Sequence, residues 1–377
     1  MMVGDQADVM TVIPLVDLRA AHAQVAAEIE AGFDDVISST AFIKGDVAAA
    51  FERDYAAFAG VAHCVGVASG TDALELALRA AEVPAGAEVI MPTNTFVATA
   101  EAVVRAGAQP AFADVDPDYL LLDPGAVKAG LSRQTGAVIP VHLFGQMAPM
   151  AAIADTAAQR GTVIIEDAAQ AHGATQSGRT AGSFGLLAGV SFYPGKNLGA
   201  YGDAGAVLTE SAQHARRVRL LGDHGSERRY EHLTIGFNSR LDAFQAVVLR
   251  AKLRVLADGN LARRQAASRY AELLADLPEV ILPRTAPGNE HVWHLYAIRV
   301  PRRDHVLRCL HDEGINAGIH YPVPVHLQPA FRHLGYGPGD FPVAEAAAGQ
   351  LLSLPLYPQI TEEQQARVAG AVRRALG

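Results

Sequence analysis

From about residue 60 to residue 210, short hydrophobic runs alternate with alanine-rich amphipathic stretches. This alternation is typical of βαβ units, in which helices connect parallel strands. Most of the runs are hydrophobic throughout, as expected of strands that helices cover on both faces of a sheet. Seven strands are predicted, at His63 to Ala68, Glu88 to Met91, Pro110 to Ala113, Ala137 to Val141, Thr162 to Glu166, Gly189 to Tyr193 and Ala204 to Leu208. The sequence therefore predicts an α/β fold with a mainly parallel, seven-stranded sheet and helices on both faces.

The rest of the chain after this region has a different pattern. Leucines and valines at helical spacing predict a helix from Arg240 to about Leu277, which links the two halves of the chain. The elements predicted after it are a loop at Pro283 to Asn289, a strand near His291 to Val300, a helix over Asp304 to Glu313, a strand at Ile315 to His320 and a helix from Thr361. We therefore expect a flexible N-terminus at residues 1–11, a large domain at 12–255 and a smaller α+β domain at 256–377.

Composition limits the classes of partner. The chain has 377 residues, of which 50% are hydrophobic and 19% charged, and this is enough apolar material for a buried sheet. Its net charge of −9 disfavours nucleic acid and anionic membranes as partners. Two distant cysteines and the lack of an export signal predict a cytoplasmic protein, with no membrane span. The fourteen histidines form no cluster with cysteine or acid, so no metal site is predicted.

A lysine follows the sixth predicted strand in a glycine-rich turn. The segment reads SFYPGKNLGAYGDAG from Ser191 to Gly205, with the lysine at position 196. Asp167 ends the preceding strand, so its carboxylate and the Lys196 amine are expected at one edge of the sheet. A lysine for a Schiff base and an acid for a pyridine nitrogen are what pyridoxal phosphate (PLP) chemistry needs. Taken singly, Lys196 also fits an exposed loop lysine and Asp167 an acidic helix cap.

Several other residues fit the same site. Gly70 and Thr71 open a helix after a strand, where backbone N–H groups bind phosphate, although Thr71 or Asp72 also fits a simple N-cap. The Ser191 hydroxyl is placed to add to that phosphate site. Phe96 lies near a strand-to-helix junction, where its ring stacks on a flat cofactor or packs in the core. Gln170 is placed to reach the cofactor's phenolic oxygen.

Together these stretches resemble the PLP-dependent sugar aminotransferases of the DegT and StrS family, which have fold type I. The resemblance covers nearly everything from Ile13 onward. The matching stretches are SGTDAL at 69–74, TFVAT at 95–99, VHLFGQ at 141–146, EDAAQAHGA at 166–174, the lysine loop and GFNSRLD at 236–242.

The resemblance implies a role for each site residue. Gly70, Thr71 and Ser191 hold the cofactor phosphate, Phe96 stacks on the ring, Asp167 pairs with the pyridine nitrogen and Gln170 meets the phenolic oxygen. Lys196 forms the internal aldimine and, once freed, moves a proton between the donor and the cofactor. The family also implies a homodimer in which Asn238 reaches the partner's cofactor phosphate, and glutamate as the amino donor. Without the family, Asn238 is only a polar residue before a helix.

Two segments bear on the sugar. The loop from Asn197 to Gly205 lacks the threonine-rich Glu-Gly-Gly pattern of relatives that aminate the fourth carbon. This loop and the segment from Ile319 to Phe331 resemble enzymes that act on nucleotide-linked 3-keto-6-deoxyhexoses, dTDP-linked ones in particular, so we expect amination at the third carbon. The candidate substrate residues are Tyr201, His224, Tyr230, His320, Tyr321 and His326, with Arg228 and Arg229 for a diphosphate. Each also fits simple packing or a solvated surface.

Other functions remain open at this point. In the nearest alternatives, an aminotransferase of the same family acts on a 4-keto sugar or a keto-cyclitol. Both remain open because the acceptor pocket is built from loops that the sequence defines poorly. A dehydratase of the same fold is a further alternative. Such an enzyme has histidine in place of the lysine, so Lys196 opposes this function. From another class comes a dimeric regulator that kept the fold without the chemistry, which the intact set of site residues opposes. A nicotinamide reductase lacks support, because no Gly-x-Gly-x-x-Gly opens a first helix.

Overall fold

The computed structural model describes residues 12–377, so the flexible N-terminus predicted at 1–11 lies outside the described residues. The helices are α1 (Leu18–Ala23), α2 (Ala26–Ser39), α3 (Gly45–Ala59), α4 (Gly70–Ala80), α5 (Val97–Arg105), α6 (Pro124–Gly130), α7 (Met150–Ala158), α8 (Ala212–Gly222), α9 (Ala243–Leu274), α10 (Arg303–Asp312), α11 (Pro342–Gln350) and α12 (Glu362–Leu376). The strands are β1 (His63–Val67), β2 (Glu88–Pro92), β3 (Gln109–Ala113), β4 (Thr135–Val138), β5 (Val163–Asp167), β6 (Thr175–Gln176), β7 (Arg179–Thr180), β8 (Leu187–Ser191), β9 (Gly205–Thr209), β10 (Ser226–Arg228), β11 (Glu231–His232), β12 (Asn289–Glu290), β13 (Tyr296–Arg299) and β14 (Leu351–Leu354).

The seven strands predicted from the sequence form one sheet, in the order β1-β9-β8-β5-β4-β2-β3. The pairs from β8 to β3 are all parallel, whereas β9 is antiparallel to both β1 and β8. Six of the seven strands therefore run in one direction, and the predicted mainly parallel sheet is confirmed.

This topology brings distant segments to one edge. Because β1, β2, β5 and β8 run in the same direction, their carboxyl ends meet at the same edge of the sheet. Ser69 and Gly70 follow β1, Phe96 follows β2, Asp167 ends β5 and Ser191 ends β8. In open α/β sheets this edge is where ligands bind.

Buried side chains cover both faces of the sheet. Neighbouring residues of a strand enter different cores: Cys64 packs in one, and Val65 and Val67 pack in the other. The same alternation holds in β2, where Ile90 packs on the opposite face from Met91. Hydrophobic burial on both faces explains why these strands show continuous apolar runs instead of an alternating pattern.

The C-terminal elements surround a third core, which includes Ile13, Tyr270, Val306 and Leu352. The predicted long helix is confirmed as α9, and the predicted terminal helix as α12, which Thr361 begins with a capping box. Because α9 is continuous from Ala243 to Leu274, the predicted domain boundary at 255/256 falls within a helix. The two-domain division remains a prediction.

One predicted C-terminal strand is wrong. Residues 315–320 form no strand, because Ile315 bridges to Ile13 while Gly318 bridges to Ser353. Each bridge involves a single residue pair, and the two partners come from different parts of the chain. The short β6, β7, β10, β11 and β12 have two or three residues each and were not predicted. Within residues 12–377, no helix is both long and apolar enough to cross a bilayer.

Candidate active site

A cavity of about 590 Å³ lies at the carboxyl edge of the sheet. It is the point where the ends of β1, β2, β5 and β8 meet the segment after β13. The structure brings to its wall these residues that were predicted for the site: Gly70, Thr71, Phe96, Asp167, Gln170, Ser191, Lys196, His320 and Tyr321.

Lys196 lies in the turn between β8 and β9, and its side chain forms part of the cavity wall. Burial lowers the pKa of Lys196 to about 8, and the charge of Asp167 partly opposes this shift. No hydrogen bond or salt bridge within the described residues pairs its ammonium group. A lysine with this pKa has a substantial neutral fraction near neutral pH, and a neutral amine is both a nucleophile and a base.

Asp167 is the last residue of β5 and is 6% exposed. Its carboxylate accepts a hydrogen bond from the Thr99 hydroxyl at 2.7 Å and another from the Ala169 N–H at 3.1 Å. Thr99 is in turn 2.8 Å from the Thr95 hydroxyl, so two threonines of α5 and its N-terminal loop extend the network. These bonds fix the direction of a buried carboxylate that lines the cavity.

A cluster of polar and aromatic groups forms another part of the wall. The Gln170 side chain accepts from the Phe144 N–H at 2.6 Å and donates to the Tyr321 hydroxyl at 3.3 Å. The Tyr321 ring lies 5.3 Å from the ring of Phe96, which is half exposed. Burial raises the pKa of Tyr321 well above its usual range, so its hydroxyl keeps its proton.

His320 adds a neutral imidazole to this wall. Its Nδ1 lies 2.9 Å from the Ser353 hydroxyl. Burial, with the nearby charge of Lys196, lowers the pKa of His320 to about 4. His320 is therefore uncharged at neutral pH and offers a hydrogen-bonding group, not a cation, to a ligand.

The start of α4 and the end of β8 form a tight cradle. Ser69 is the N-cap of α4 and accepts from the Asp72 N–H at 3.1 Å, so neither Thr71 nor Asp72 is the cap. A Cβ atom at Gly70 would lie 2.5 Å from the Cβ of Ser191. The two segments approach this closely only because Gly70 has no side chain. The first N–H groups of a helix have no intrahelical partner, which makes such a start an anion site.

Asn238 does not line this cavity. It lines a neighbouring space of about 380 Å³ together with Asp203, which also belongs to the wall of the main cavity. Its side-chain oxygen accepts from Arg240 at 2.7 Å.

The other candidate substrate residues also lie away from the cavity. His224 is exposed after α8, and Tyr230 is 81% exposed beside Arg229 in the β10–β11 hairpin, which also carries the exposed Arg228. Tyr201 is 2.5 Å from Nδ1 of His22 and stacks under the Lys252 ammonium.

His326 is 1% exposed, and its contacts are those of a packing residue. Its ring nitrogens lie 2.6 Å from the Thr93 hydroxyl and 3.2 Å from Glu345. Both polar atoms of the ring therefore have partners within the protein, and the side chain joins the C-terminal segment to the end of β2.

Thr99 and His294 are among the wall residues that sequence reasoning missed. Thr99 lies in a stretch that carried the family resemblance, but its bond to Asp167 depends on the fold. His294 is 9% exposed and lines the cavity, and burial together with Lys196 lowers its pKa. No spacing pattern in the sequence marks His294.

Comparison with known proteins agrees with this geometry. Residues 23–373 match the DegT/DnrJ/EryC1/StrS aminotransferase family. The chain belongs to this family. The match includes Lys196, Asp167 and the other cavity residues from Ser69 to Tyr321, so the predicted family is confirmed.

Individual members of the DegT/DnrJ/EryC1/StrS family are similar over nearly their whole length. A UDP-N-acetyl-3-dehydro-alpha-D-glucosamine 3-aminotransferase of Acidithiobacillus ferrooxidans is 47% identical over 97% of this chain and 98% of its own. A dTDP-3-amino-3,4,6-trideoxy-alpha-D-glucose transaminase of Streptomyces venezuelae is 44% identical over 96% of this chain and 95% of its own. The crystal structure of S. venezuelae DesV with a ketimine intermediate matches with a TM-score of 0.94 and 44% identity, over 96% of this chain and 98% of that one. The fold predicted from the sequence is therefore confirmed.

Proposed function

We propose that this aminotransferase uses PLP to transfer an amino group from L-glutamate to the third carbon of a nucleotide-linked 3-keto-6-deoxyhexose. The observation that supports the chemistry best is that Lys196 and the hydrogen-bonded carboxylate of Asp167 line one cavity. The 3-keto position is supported by the two relatives above, since both are named for a nitrogen or a ketone at carbon 3.

The residues of the cavity fit PLP. The α4 start and the Ser69, Thr71 and Ser191 hydroxyls offer neutral donors for a phosphate dianion. Because position 70 is a glycine, the start of α4 lies close enough to Ser191 for both to contact one anion. Phe96 is half exposed at the cavity, as a ring that stacks on a flat ligand must be. Asp167, Gln170 and Lys196 supply an anion, an amide and an amine for the ring substituents.

When bound, PLP supplies an aldehyde that condenses with amines and a ring that accepts an electron pair. We assign proton transfer to Nζ of Lys196, whose pKa of about 8 lets the amine take and return a proton near neutral pH. Asp167, held in place by the Thr99 and Ala169 donors, is the residue that would pair with the ring nitrogen. Gln170 and Tyr321 hold each other in place beside Phe96.

For the sugar, we propose contacts from His320 and Tyr321, which line the cavity of one chain. Tyr201, His224, Tyr230, Arg228 and Arg229 lie outside it and would contact substrate only from a partner subunit or after a loop movement. For the nucleotide of the substrate, we keep dTDP, as predicted from the sequence, although one relative is named for a UDP sugar. A cytoplasmic location also remains a prediction from cysteine use.

The test is a two-substrate assay of the purified protein with PLP, glutamate and a dTDP-linked 3-keto-6-deoxyhexose. We expect ping-pong kinetics and a product whose amine is on carbon 3 by NMR. If only a dTDP-4-keto-6-deoxyhexose is aminated, the enzyme acts at the fourth carbon. If only a keto-cyclitol is turned over, the acceptor is a cyclitol and not a sugar. PLP binding without turnover of any of the three would favour a regulator.

Lys196→Ala should abolish the transfer. Loss of the only group that moves the proton should lower kcat by at least about 10²–10⁴-fold. Borohydride treatment followed by peptide mass spectrometry should find PLP on the Lys196 peptide of the wild type and on no lysine of the variant. Lys128→Ala, which removes an exposed lysine of α6, is the control and should keep both activity and the adduct. Activity retained by Lys196→Ala would overturn the assignment.

A further inference from the structure

A second, smaller cavity of about 60 Å³ lies on the other side of the lysine loop from the sheet edge, against α9. Its volume is several times the roughly 10–15 Å³ that one water needs. Lys196, Asn197 and Gly199 of the loop form part of its wall, and Lys252 and Arg263 of α9 form another part. Asp17 at the start of α1 and the segment from Tyr357 to Gln359 complete it.

Arg263 is the most unusual group in this wall. It is 5% exposed, and of its five N–H groups one on Nη1 is the only one to make a hydrogen bond within residues 12–377, to the Leu356 carbonyl at 2.9 Å. Among residues 12–377, no carboxylate forms an ion pair with it. Burial lowers the pKa of Arg263 to about 10, and no acid offsets the shift, so the side chain is a charged group in a poorly solvated place. Buried charges of this kind are normally paired.

A second cation lies in the same wall. The Lys252 ammonium donates to the Gly199 carbonyl at 2.7 Å and sits 4.6 Å above the Tyr201 ring, again with no carboxylate partner among the described residues. Burial lowers the pKa of Lys252 to about 8. Both of its contacts are with the loop that carries Lys196, so it adds positive charge without a counter-charge.

The acid and the amide of the wall do not neutralise these cations. Asp17 caps α1 by accepting from the Ala20 N–H at 2.9 Å, and it forms no ion pair with Arg263 or Lys252. The Gln359 side-chain oxygen is buried and has no hydrogen-bond partner in the part of the chain that the structure describes. Arg263 and Lys252 thus line a small polar cavity whose one lining carboxylate, Asp17, is engaged elsewhere.

We infer that this cavity binds a small inorganic anion of halide size, held by Arg263, with Lys252 adding positive charge farther along the same wall. An anion pairs with the unused Arg263 donors, and an amide flip would let the Gln359 NH₂ group donate to it as well. The volume excludes an organic phosphate or a sugar acid. Because the walls are α9 and the lysine loop, the bound ion joins the two and stabilises the loop from behind. The anion site does not depend on which sugar the enzyme aminates.

The test uses the PLP-saturated protein and sodium bromide as the probe. Crystals grown with bromide should show an anomalous peak in this cavity, beside the Arg263 guanidinium. In solution, bromide should raise Tm above its value in sodium gluconate of the same ionic strength, in proportion to ln(1 + [bromide]/Kd), since gluconate is too large for the cavity. At about 100 times Kd, the expected rise for a chain of this length is about 3 °C.

Arg263→Met should abolish the bromide-dependent rise. Arg264→Met is the matched control: it removes the same charge one residue along α9, where the side chain pairs with Glu290 at the surface at 2.8 Å, and should keep the rise. If Arg263→Met does not fold, the anomalous peak of the wild type decides the question. Three results would overturn the inference. The first is an equal Tm rise in Arg263→Met, and the second is the lack of a bromide peak at this cavity. The third is an Arg263 paired with a carboxylate of the chain itself, whether Asp17 or an acid of residues 1–11.

Discussion

At the residue scale, two threonines hold the Asp167 carboxylate in place. A buried carboxylate needs hydrogen-bond donors in place of the water it has lost. Thr99 supplies one such donor, its hydroxyl, at 2.7 Å from the carboxylate. The Thr95 hydroxyl lies 2.8 Å from the Thr99 hydroxyl and is its second hydrogen-bond partner. We therefore regard Thr99 as a positioning residue for Asp167.

Thr99→Val should reveal this role. The change keeps the shape of the side chain but leaves a buried carboxylate oxygen without a donor, so the folded state should lose about 1–3 kcal/mol and kcat/KM should fall roughly tenfold. Thermal unfolding and steady-state kinetics measure the two effects. Thr156→Val is the control, because its hydroxyl bonds only to the Ala152 carbonyl of its own helix. Equal activity losses in both variants would argue against a specific link to Asp167.

At the element scale, the close packing of α4 on the end of β8 shapes the proposed phosphate site. The distance from a Cβ at position 70 to the Cβ of Ser191 would be 2.5 Å, below any normal contact. Both atoms belong to well-packed elements, so neither yields without moving the helix start.

Gly70→Ala should therefore weaken cofactor binding. Displacing the first turn of α4 moves the N–H groups that we propose for the phosphate, so the PLP affinity, measured by fluorescence titration, should fall at least about tenfold. Gly349→Ala is the control, since a Cβ there meets nothing within 4 Å and Ala favours the helix by about 1 kcal/mol. Unchanged PLP affinity in Gly70→Ala would place the phosphate elsewhere.

At the scale of the whole molecule, buried neutral histidines make stability depend on pH. His172 and His291 are 1% and 3% exposed, and burial lowers the pKa of each to about 3. In the unfolded chain a histidine has a pKa of about 6.5, so below that pH the unfolded state binds more protons. The stability that these two neutral histidines contribute to the folded state is complete above pH 6.5. It is lost as the pH falls toward 3.

Urea unfolding from pH 7.5 to 5.5 measures this effect. Each of the two histidines should cost about 1.4 kcal/mol at pH 5.5 relative to neutral pH. His291→Phe, which keeps a ring against Trp293, should reduce the pH dependence by that amount even if it lowers stability at every pH. His333→Phe changes an exposed histidine and should leave the dependence as it is. The same slope in all three proteins would contradict the assignment.

The surface near Asn238 supports the proposed homodimer. Ile43 lines the same space as Asn238, and Phe42, Leu233 and Ile235 are large apolar residues with 44%, 57% and 91% exposure. Exposed apolar groups in this number are typical of an interaction surface.

We expect a dimer by light scattering at micromolar concentration. Asn238→Ala should weaken PLP binding without dissociating the dimer, because it removes one polar contact and leaves the apolar surface intact. Asn316→Ala, at an exposed position after α10, is the control. An active monomer, or full PLP affinity in Asn238→Ala, would argue against a site shared between subunits.

The sequence by itself determined the features that depend on short-range patterns. Apolar runs predicted all seven strands of the sheet, the spacing of leucines predicted α9, and the helix predicted from Thr361 is α12. A residue after a strand must lie at that strand's end, so Lys196 and Asp167 were predicted at one edge. The family resemblance added roles that no local pattern contains.

Only the tertiary structure decided which residues meet across long separations. A hydrophobic run does not show strand direction, so the antiparallel β9 was not foreseeable. Thr99 and Asp167 are 68 positions apart, and His326 and Thr93 are 233 apart, yet each pair is hydrogen bonded. One histidine that sequence placed at the substrate became a packing residue, while His294 entered the cavity wall. The physical reason is that periodicity and capping act within a few residues, whereas a site is made where distant segments pack together.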